Sequence, residues 1–396
     1  ITDALALGTS ATTALAGNTA LFDGVFASLT SKPTTIAGYG ITDNTWANLV
    51  NKDGASGPSK IALGENAGLT SQGTNAIAIG KDAGKTNQAV NATAFGGGAG
   101  LTDQGLRATA LGTGSGYTRQ GADAIAIGYT AGETSQGLEA VAIGYLAARD
   151  TQGEAAVAIG EQAGRYTQGS QAVAIGKDAG KTTQGSKAIA IGDSAGATTQ
   201  GQYAVAVGWE AGKTSQGANT VAIGKEAGQT SQGQHGVAVG EQAGETNQGV
   251  YTVAIGMQAG QTSQGGSGVA IGYNAGGTSQ GADGIAIGQN AGASGQGTLS
   301  IAIGEGAGHT NQTANSIVLN ATGSQLNNTQ ASSLVIKPIR NVTMTTILGY
   351  DATSGEVMHN AAIPGYISLA DLKTEVAASA DSVSYTHLTL PTNREV

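Results

Sequence analysis

The chain has 396 residues, of which 66 are Gly, 5 are Pro and none is Cys, with 11% charged residues, 4% aromatics and a formal net charge of −9. An ordinary domain carries about 7% Gly and about 25% charge, so this composition argues against an ordinary enzyme domain, and scarce Pro without Gly at every third position excludes collagen. The lack of Cys rules out disulfides and thiolate metal sites, the acidic balance disfavours nucleic acid, and no apolar run reaches the roughly 18 residues of a membrane helix.

Residues 1–54 precede any repeat. Ser31-Lys32-Pro33-Thr34-Thr35-Ile36-Ala37-Gly38-Tyr39-Gly40-Ile41-Thr42-Asp43 reads as an extended linker, because Pro33, Gly38 and Gly40 punctuate it. This stretch resembles a segment that recurs in tail-fibre proteins of tailed phages. Ile41-Thr42-Asp43 repeats Ile1-Thr2-Asp3, so the chain is expected to open inside an earlier copy. A start at Ile rather than Met fits a fragment, and the absence of a signal peptide decides nothing.

A repeat dominates residues 55–315. A-[IV]-A-[IV]-G pentads end on Gly64, Gly80, Gly96, Gly112 and Gly128, then at every sixteenth residue through Gly176, Gly224 and Gly272 to Gly304, in sixteen copies without insertion. The consensus is A-[IV]-A-[IV]-G-x-x-A-G-x-T-[ST]-Q-G-x-x. Two columns never vary: the Ala two before the pentad Gly, and the Gln eight after it at Gln72, Gln88, Gln136, Gln184, Gln232, Gln280 and the intervening coils to Gln312.

Period-two alternation predicts a short strand for each pentad. Ile77 and Ile79 share one face, Ala76 and Ala78 the other. Both faces are apolar, which predicts burial of both. The A-G-x-T-[ST]-Q-G half predicts a turn and a second short strand, with glycines where φ is positive or backbones approach closely. Sixteen residues hold two strands of about five residues, and coils stacked at about 4.8 Å make a rod of roughly 75 Å. The Gly and Gln columns then become ladders, the Gln side chains forming an amide stack along the axis. The pattern leaves open which face lines the coil. A leftover apolar face is expected to pack on copies of the chain, and Ala174→Glu is expected to disrupt that assembly.

Val141-Ala142-Ile143-Gly144 followed by Ala147 resembles the repeat of the YadA-like head of trimeric autotransporter adhesins. The resemblance covers residues 60 to about 315 and implies a left-handed parallel β-roll assembled as a homotrimer. The family repeat is shorter, and the extra residues here fall in the T-[ST]-Q-G half.

In residues 316–366 the repeat decays. Ser316-Ile317-Val318-Leu319 is a last pentad whose Gly is replaced by Asn320. Residues 334–340 and 345–350 read as strands, and 351–355 as a turn before Glu356-Val357-Met358. This region resembles the part of phage and marine-virus fibre proteins that precedes a C-terminal intramolecular chaperone. Over 367–382, Ser368 and Asp371 are placed to cap a helix carrying Leu369, Leu372 and Val376. Residues 383–396 resemble a translated sequencing adaptor and are set aside.

Candidate chemistry is sparse. Gly80-Lys81-Asp82-Ala83-Gly84-Lys85-Thr86 has three residues between its glycines where a phosphate loop needs four. His235, His309, His359 and His387 lack ligand spacing. No catalytic constellation, cofactor or metal is expected. The residue after the pentad Gly varies in kind, which predicts an exposed corner. Tyr129, Tyr145, Trp209 and Tyr273 stand there, candidates to stack on a sugar or anchor a partner protein, against the plainer reading of solvated turns.

The sequence is therefore read as an all-β parallel β-solenoid of sixteen 16-residue coils, homotrimeric, forming the shaft or head of a phage tail fibre. Such a fibre is extracellular, on the virion, and attaches to a host-surface glycan or protein, with no nucleic-acid partner and no membrane insertion in this stretch. One alternative is the head of a bacterial trimeric autotransporter adhesin on the outer-membrane surface. Another is an ice- or ligand-binding solenoid, although its Thr ladder breaks at Asp150 and Tyr166.

Overall fold

The computed structural model describes residues 60–339, 347–350, 353–355 and 357–360. The linker, helix and adaptor readings lie outside the described residues.

The pentads form one parallel sheet of 18 strands, from Ile61–Leu63 to Leu334–Lys337. Each strand pairs with its equivalent in the next coil, as in Val173↔Ile189, Ala174↔Ala190 and Ile175↔Ile191. The Thr-x-Gln segments form a second parallel sheet of 13 strands, from Thr86–Gln88 to Thr278–Gln280. The chain alternates between the two sheets, which makes a parallel β-solenoid. The strands are two or three residues long in most coils, shorter than the five expected. Corners take up the rest: within one coil Asp82, Gly84, Asn87 and Asn91 all adopt φ between 51° and 58°.

The Ala face lines the interior. Ala76, Ala78, Ala83 and Ala94 are fully buried, as are their equivalents along the solenoid. Ile77 and Ile79 point outward and stay half-buried. The expectation that both faces are buried therefore holds for one face only in the single chain. The reason is thickness. Gln88 spans the interior and donates from Nε2 to the carbonyl of Ile77 at 2.8 Å, so the lumen is one side chain deep. In the regular coils, where the Gln fills the lumen, no branched aliphatic side chain takes that place. Where Ala gives way at the first pentad position, it gives way to Gly, at Gly236, Gly268 and Gly284, or to small hydroxyls that pair locally: Thr220 to Gly217 O, Thr252 to Gly249 O and Ser300 to Gly297 O, at 2.6–3.0 Å. Buried polar groups are tolerated on that condition.

The pentad Gly has its own cause. Gly80 sits at φ +125°, and a Cβ there would lie 2.6 Å from the carbonyl oxygen of Gly96 in the next coil. Backbone sterics and ladder spacing together exclude every side chain.

The residue before the ladder Gln sets a local choice. Asn87, Ser215, Ser231 and Asn247 take positive φ, whereas Thr151, Thr167, Thr183 and Thr199 do not. Asn87 N–H donates to the preceding coil, to Thr70 O at 2.9 Å. Thr167 and Thr183 N–H donate to the following coil, to Thr182 O and Thr198 O at 3.1 and 3.0 Å. A β-branched side chain disfavours the left-handed region, so Thr turns its peptide the other way.

The rungs continue past the last regular repeat. Ile317–Asn320 pairs with Ile301–Ile303, and Leu334–Lys337 pairs with Ile317–Asn320 at a spacing of seventeen, Ile317↔Leu334. Val318 and Leu326 replace core alanines here and Val335 packs against them. Asn320 replaces the Gly and closes the end. Its amide donates to Glu305 O and Ser324 O at 2.6 Å each, and its Oδ1 accepts from Thr322. Beyond Pro338 lies a second compact unit, in which Ile347–Tyr350 and Val357–Asn360 form an antiparallel hairpin around a turn at 353–355.

Candidate interaction surface

Three surfaces follow from this coil. The interior carries the Gln ladder. Ten links of the form Gln88 Nε2 to Gln104 Oε1 run along it at 3.0–3.2 Å. Each Gln also holds the opposite sheet, as Gln184 does through Val173 O at 2.7 Å and Gln232 through Val221 O at 2.9 Å. Gln72 binds Ile61 O and Ala76 O. The ladder is segmented: Gln88, Gln152, Gln216 and Gln248 each leave Oε1 without a donor and open a run, and Gln312, likewise without one, stands alone after the last run ends at Gln296. Gln136 thus ends one run, and Gln280 lies inside another. A Cβ at Gly84 would come 2.7 Å from the Gln88 amide carbon. Ala148 occupies that position at φ 46°, and the Gln152 acceptor beside it is one of those unfilled. The ladder glycines Gly64, Gly80, Gly128, Gly176, Gly224 and Gly272 all lie at φ between 123° and 126°.

The corner after the pentad Gly carries the predicted aromatics. Tyr129 and Tyr145 are half-exposed and stack on each other, ring centroids 5.5 Å apart and planes 13° from parallel. Trp209 lies apart from them and faces the ammonium of Lys225 at 5.5 Å. Tyr273 is exposed in a separate coil. Only the first two are brought together. The corner before the pentad holds a second set: His235 stacks on Tyr251 at 5.0 Å, and Lys187 lies over Tyr203 at 5.4 Å. The sequence columns did not single these out, although the variable position immediately before each pentad was the available signal.

Like positions in successive coils also pair by charge. Lys81 meets Glu65 at 3.1 Å, Arg107 meets Asp123 at 2.5 Å and Lys225 meets Glu241 at 3.2 Å. The Arg107 hydrogen bond holds the Asp123 carboxyl below its ordinary range. The Asn66 amide, and after it Lys85, do the same for Asp82. Lys81 and Lys85, which gave the phosphate-loop resemblance, are held by Glu65 and Asp82. Among the described residues no three His, Asp or Glu groups gather to hold a metal, and no helix is long and apolar enough to cross a membrane.

The third surface is the outer face of the pentad sheet. It bears two columns, one beginning Ile61, Ile77 and the other Leu63, Ile79, that remain aliphatic in nearly every coil. Ile191, Ile223, Ile255 and Ile303 there are 37–41% exposed.

The YadA head domain repeat family matches this chain in two copies over residues 184–211. No curated protein and no solved structure matches it. The solenoid and the tandem repeat are similar to an adhesin head of that kind.

Proposed function

We propose that this chain is the head-like rod of a homotrimeric, surface-exposed adhesin, whose work is to space and present contact surfaces rather than to catalyse. The observation that carries the reading is the aliphatic face on the outside of the pentad sheet, broken only by Thr93, Phe95 and Thr109. Two columns, mostly Ile and Val, running along the solenoid make a contiguous, partly exposed apolar stripe of the kind that marks an interaction surface. The interior is already filled, so only another molecule covers it, and a periodic face is matched best by copies of itself. The repeat match over residues 184–211 supports the adhesin class. Surface location and left-handed coiling follow from that likeness. The corner aromatics Tyr129 and Tyr145 are where a glycan or protein on a host surface would dock.

A phage tail fibre is the second reading. It is favoured by residues 31–43 and by the strands after residue 316, and sequence from the parent locus separates the two. A membrane β-barrel segment downstream supports the adhesin, and virion genes support the fibre.

Sedimentation equilibrium of the full chain tests self-association. The expected mass is three times 38.7 kDa. Val221→Lys, on the outer face, is expected to give a folded monomer. A wild-type chain that sediments as a monomer at micromolar concentration overturns the proposal.

A further inference from the structure

Several columns of the repeat break together in one place. The Thr two before the ladder Gln gives way to a residue other than Ser only at Asp150 and Tyr166. The position before it is Arg only in the same two coils, at Arg149 and Arg165. The stacked Tyr129 and Tyr145 begin in the coil just before, so the departures occupy about 10 Å along the axis. Contacts join them into one patch. Tyr145 O accepts the backbone N–H of Gln162 at 2.8 Å. The Gln162 side chain in turn accepts from Nη1 of Arg165 at 2.6 Å. The guanidinium of Arg165 lies 4.8 Å from the Tyr166 ring centre, and that of Arg149 lies 5.7 Å from the same ring. Tyr129 covers Tyr145 from the preceding coil, so the other face of Tyr145 looks toward the coil that carries Arg165.

The two arginines share a column but not a fate. Arg149 is followed by Asp150, which accepts from its Nε and Nη2 at 2.7 and 3.2 Å, and Glu133 lies 3.8 Å away. Arg165 is followed by Tyr166 instead. Among the described residues no carboxylate pairs with Arg165, and its Nε is buried without an acceptor. Asp178 in the next coil is held by Lys181 at 3.0 Å, and the exposed corner charges Glu161 and Lys177 are of opposite sign. A tyrosine ring attracts a guanidinium without neutralising it, and the planar fork matches a carboxylate. Arg165 thus leaves a positive charge uncompensated beside half-exposed rings. The backbone of this corner offers no docking edge, because the N–H groups of Leu146, Gln162 and Asp178 donate to Tyr129 O, Tyr145 O and Glu161 O. A peptide therefore cannot add here as a strand, and recognition falls to rings and charge. A sugar suits such a surface, since its apolar C–H face and its hydroxyls match the body and the hydroxyl of Tyr.

We propose that Tyr129, Tyr145, Arg165 and Tyr166 form a binding site for a carboxylate-bearing saccharide, with the carboxylate on Arg165 and a sugar ring against Tyr145. The proposal rests on the adhesin reading above and adds to it the class of ligand.

Calorimetric titration of the full chain tests this with four probes: sialyllactose, a hyaluronan tetrasaccharide, neutral lactose and a short poly-glutamate. At least one of the two carboxylate-bearing saccharides is expected to bind roughly tenfold or more tighter than lactose and than poly-glutamate. Arg165→Gln puts there a residue that the same column already carries at Gln229 and Gln261, so the coil tolerates it. It is expected to weaken the bound acidic saccharide roughly tenfold or more, and Tyr145→Ala roughly fivefold. Arg119→Gln, outside the patch, is expected to leave binding unchanged. Lactose bound as tightly as the acidic saccharides, or acidic-saccharide binding unmoved by Arg165→Gln, overturns the site. Poly-glutamate bound more tightly than any sugar makes the partner an acidic peptide and overturns the saccharide. A chain that sediments as a trimer and binds neither acidic saccharide overturns the site and leaves the rod reading standing. A monomer that binds one of them through Arg165 supports the site and overturns the trimer.

Discussion

Gln184 shows how much one side chain does in a coil this thin. Its Nε2 donates to Val173 O, Ala188 O and Gln200 Oε1, and its Oε1 accepts from Gln168. Truncation to Ala removes the packing of one of the largest interior groups and breaks the ladder on both sides, taking the donor from Gln200 Oε1 and the acceptor from Gln168 Nε2. We expect Gln184→Ala to lower unfolding free energy by about 2–4 kcal/mol in denaturant titration, and Gln72→Ala, at an open end of the ladder, by less. Gly176 is constrained by backbone alone. At φ +125°, with a Cβ only 2.6 Å from Gly192 O, it admits no substitution without moving the ladder. Gly176→Ala is expected to cost at least about 2 kcal/mol in the same titration.

The elements are set by position-specific backbone choices. A β-branched residue before the ladder Gln sends its peptide hydrogen bond to the following coil, as Thr167 and Thr183 do, and Asn87 and Asn311 send theirs to the preceding one; unbranched Ser takes either form, extended at Ser135 and left-handed at Ser231. Ser231→Thr forces a branched side chain into φ 58° and is expected to destabilise by about 1 kcal/mol, whereas Thr183→Val keeps its extended backbone and is expected to cost under about 0.5 kcal/mol. Equal losses in thermal melts of the two variants would mean that branching does not set the peptide direction. The pentad strand, the second short strand, the period and the amide ladder were legible because each is a column property repeated sixteen times. The corner geometry was not. A left-handed residue such as Tyr203 or Leu299 gives no sign in its own chemistry and takes that conformation because the coil must close. Nor did alternation alone say which face is inside. Ile and Ala are both apolar, and the answer came from the reach of Gln88 across the lumen. The same thickness explains why Tyr129 and Tyr145 are surface groups: no aromatic ring fits within the coil.

At the scale of the solenoid, stability depends little on pH. Its buried polar residues among those described are Gln, Ser, Thr and Asn, none of which titrates. The perturbed groups are on the surface. Asp82 and Asp123 have lowered values, so their contribution is present above the ordinary carboxylate value near 4 and is lost as pH falls through the lower folded value. Lys81 and Lys225 have raised values, through Glu65 and Glu241, so theirs is present below the ordinary lysine value and is lost as pH rises through the higher folded one. Melting temperature is expected to be flat from about pH 5 to 9, with a shallow fall outside that window.

Each coil keeps its small residues inside and its branched residues outside, on the face proposed to meet other copies. Adjacent residues of one strand decide it: Ala174 is fully buried, and Ile175 beside it faces out. Far-ultraviolet circular dichroism melting of Ala174→Glu and Ile175→Glu compares them directly. A charge in the lumen has no partner and no room, so Ala174→Glu is expected to abolish the cooperative β transition at its wild-type temperature, whereas Ile175→Glu keeps a folded solenoid and loses only association. A folded Ala174→Glu beside an unfolded Ile175→Glu would instead put the aliphatic face inside the coil.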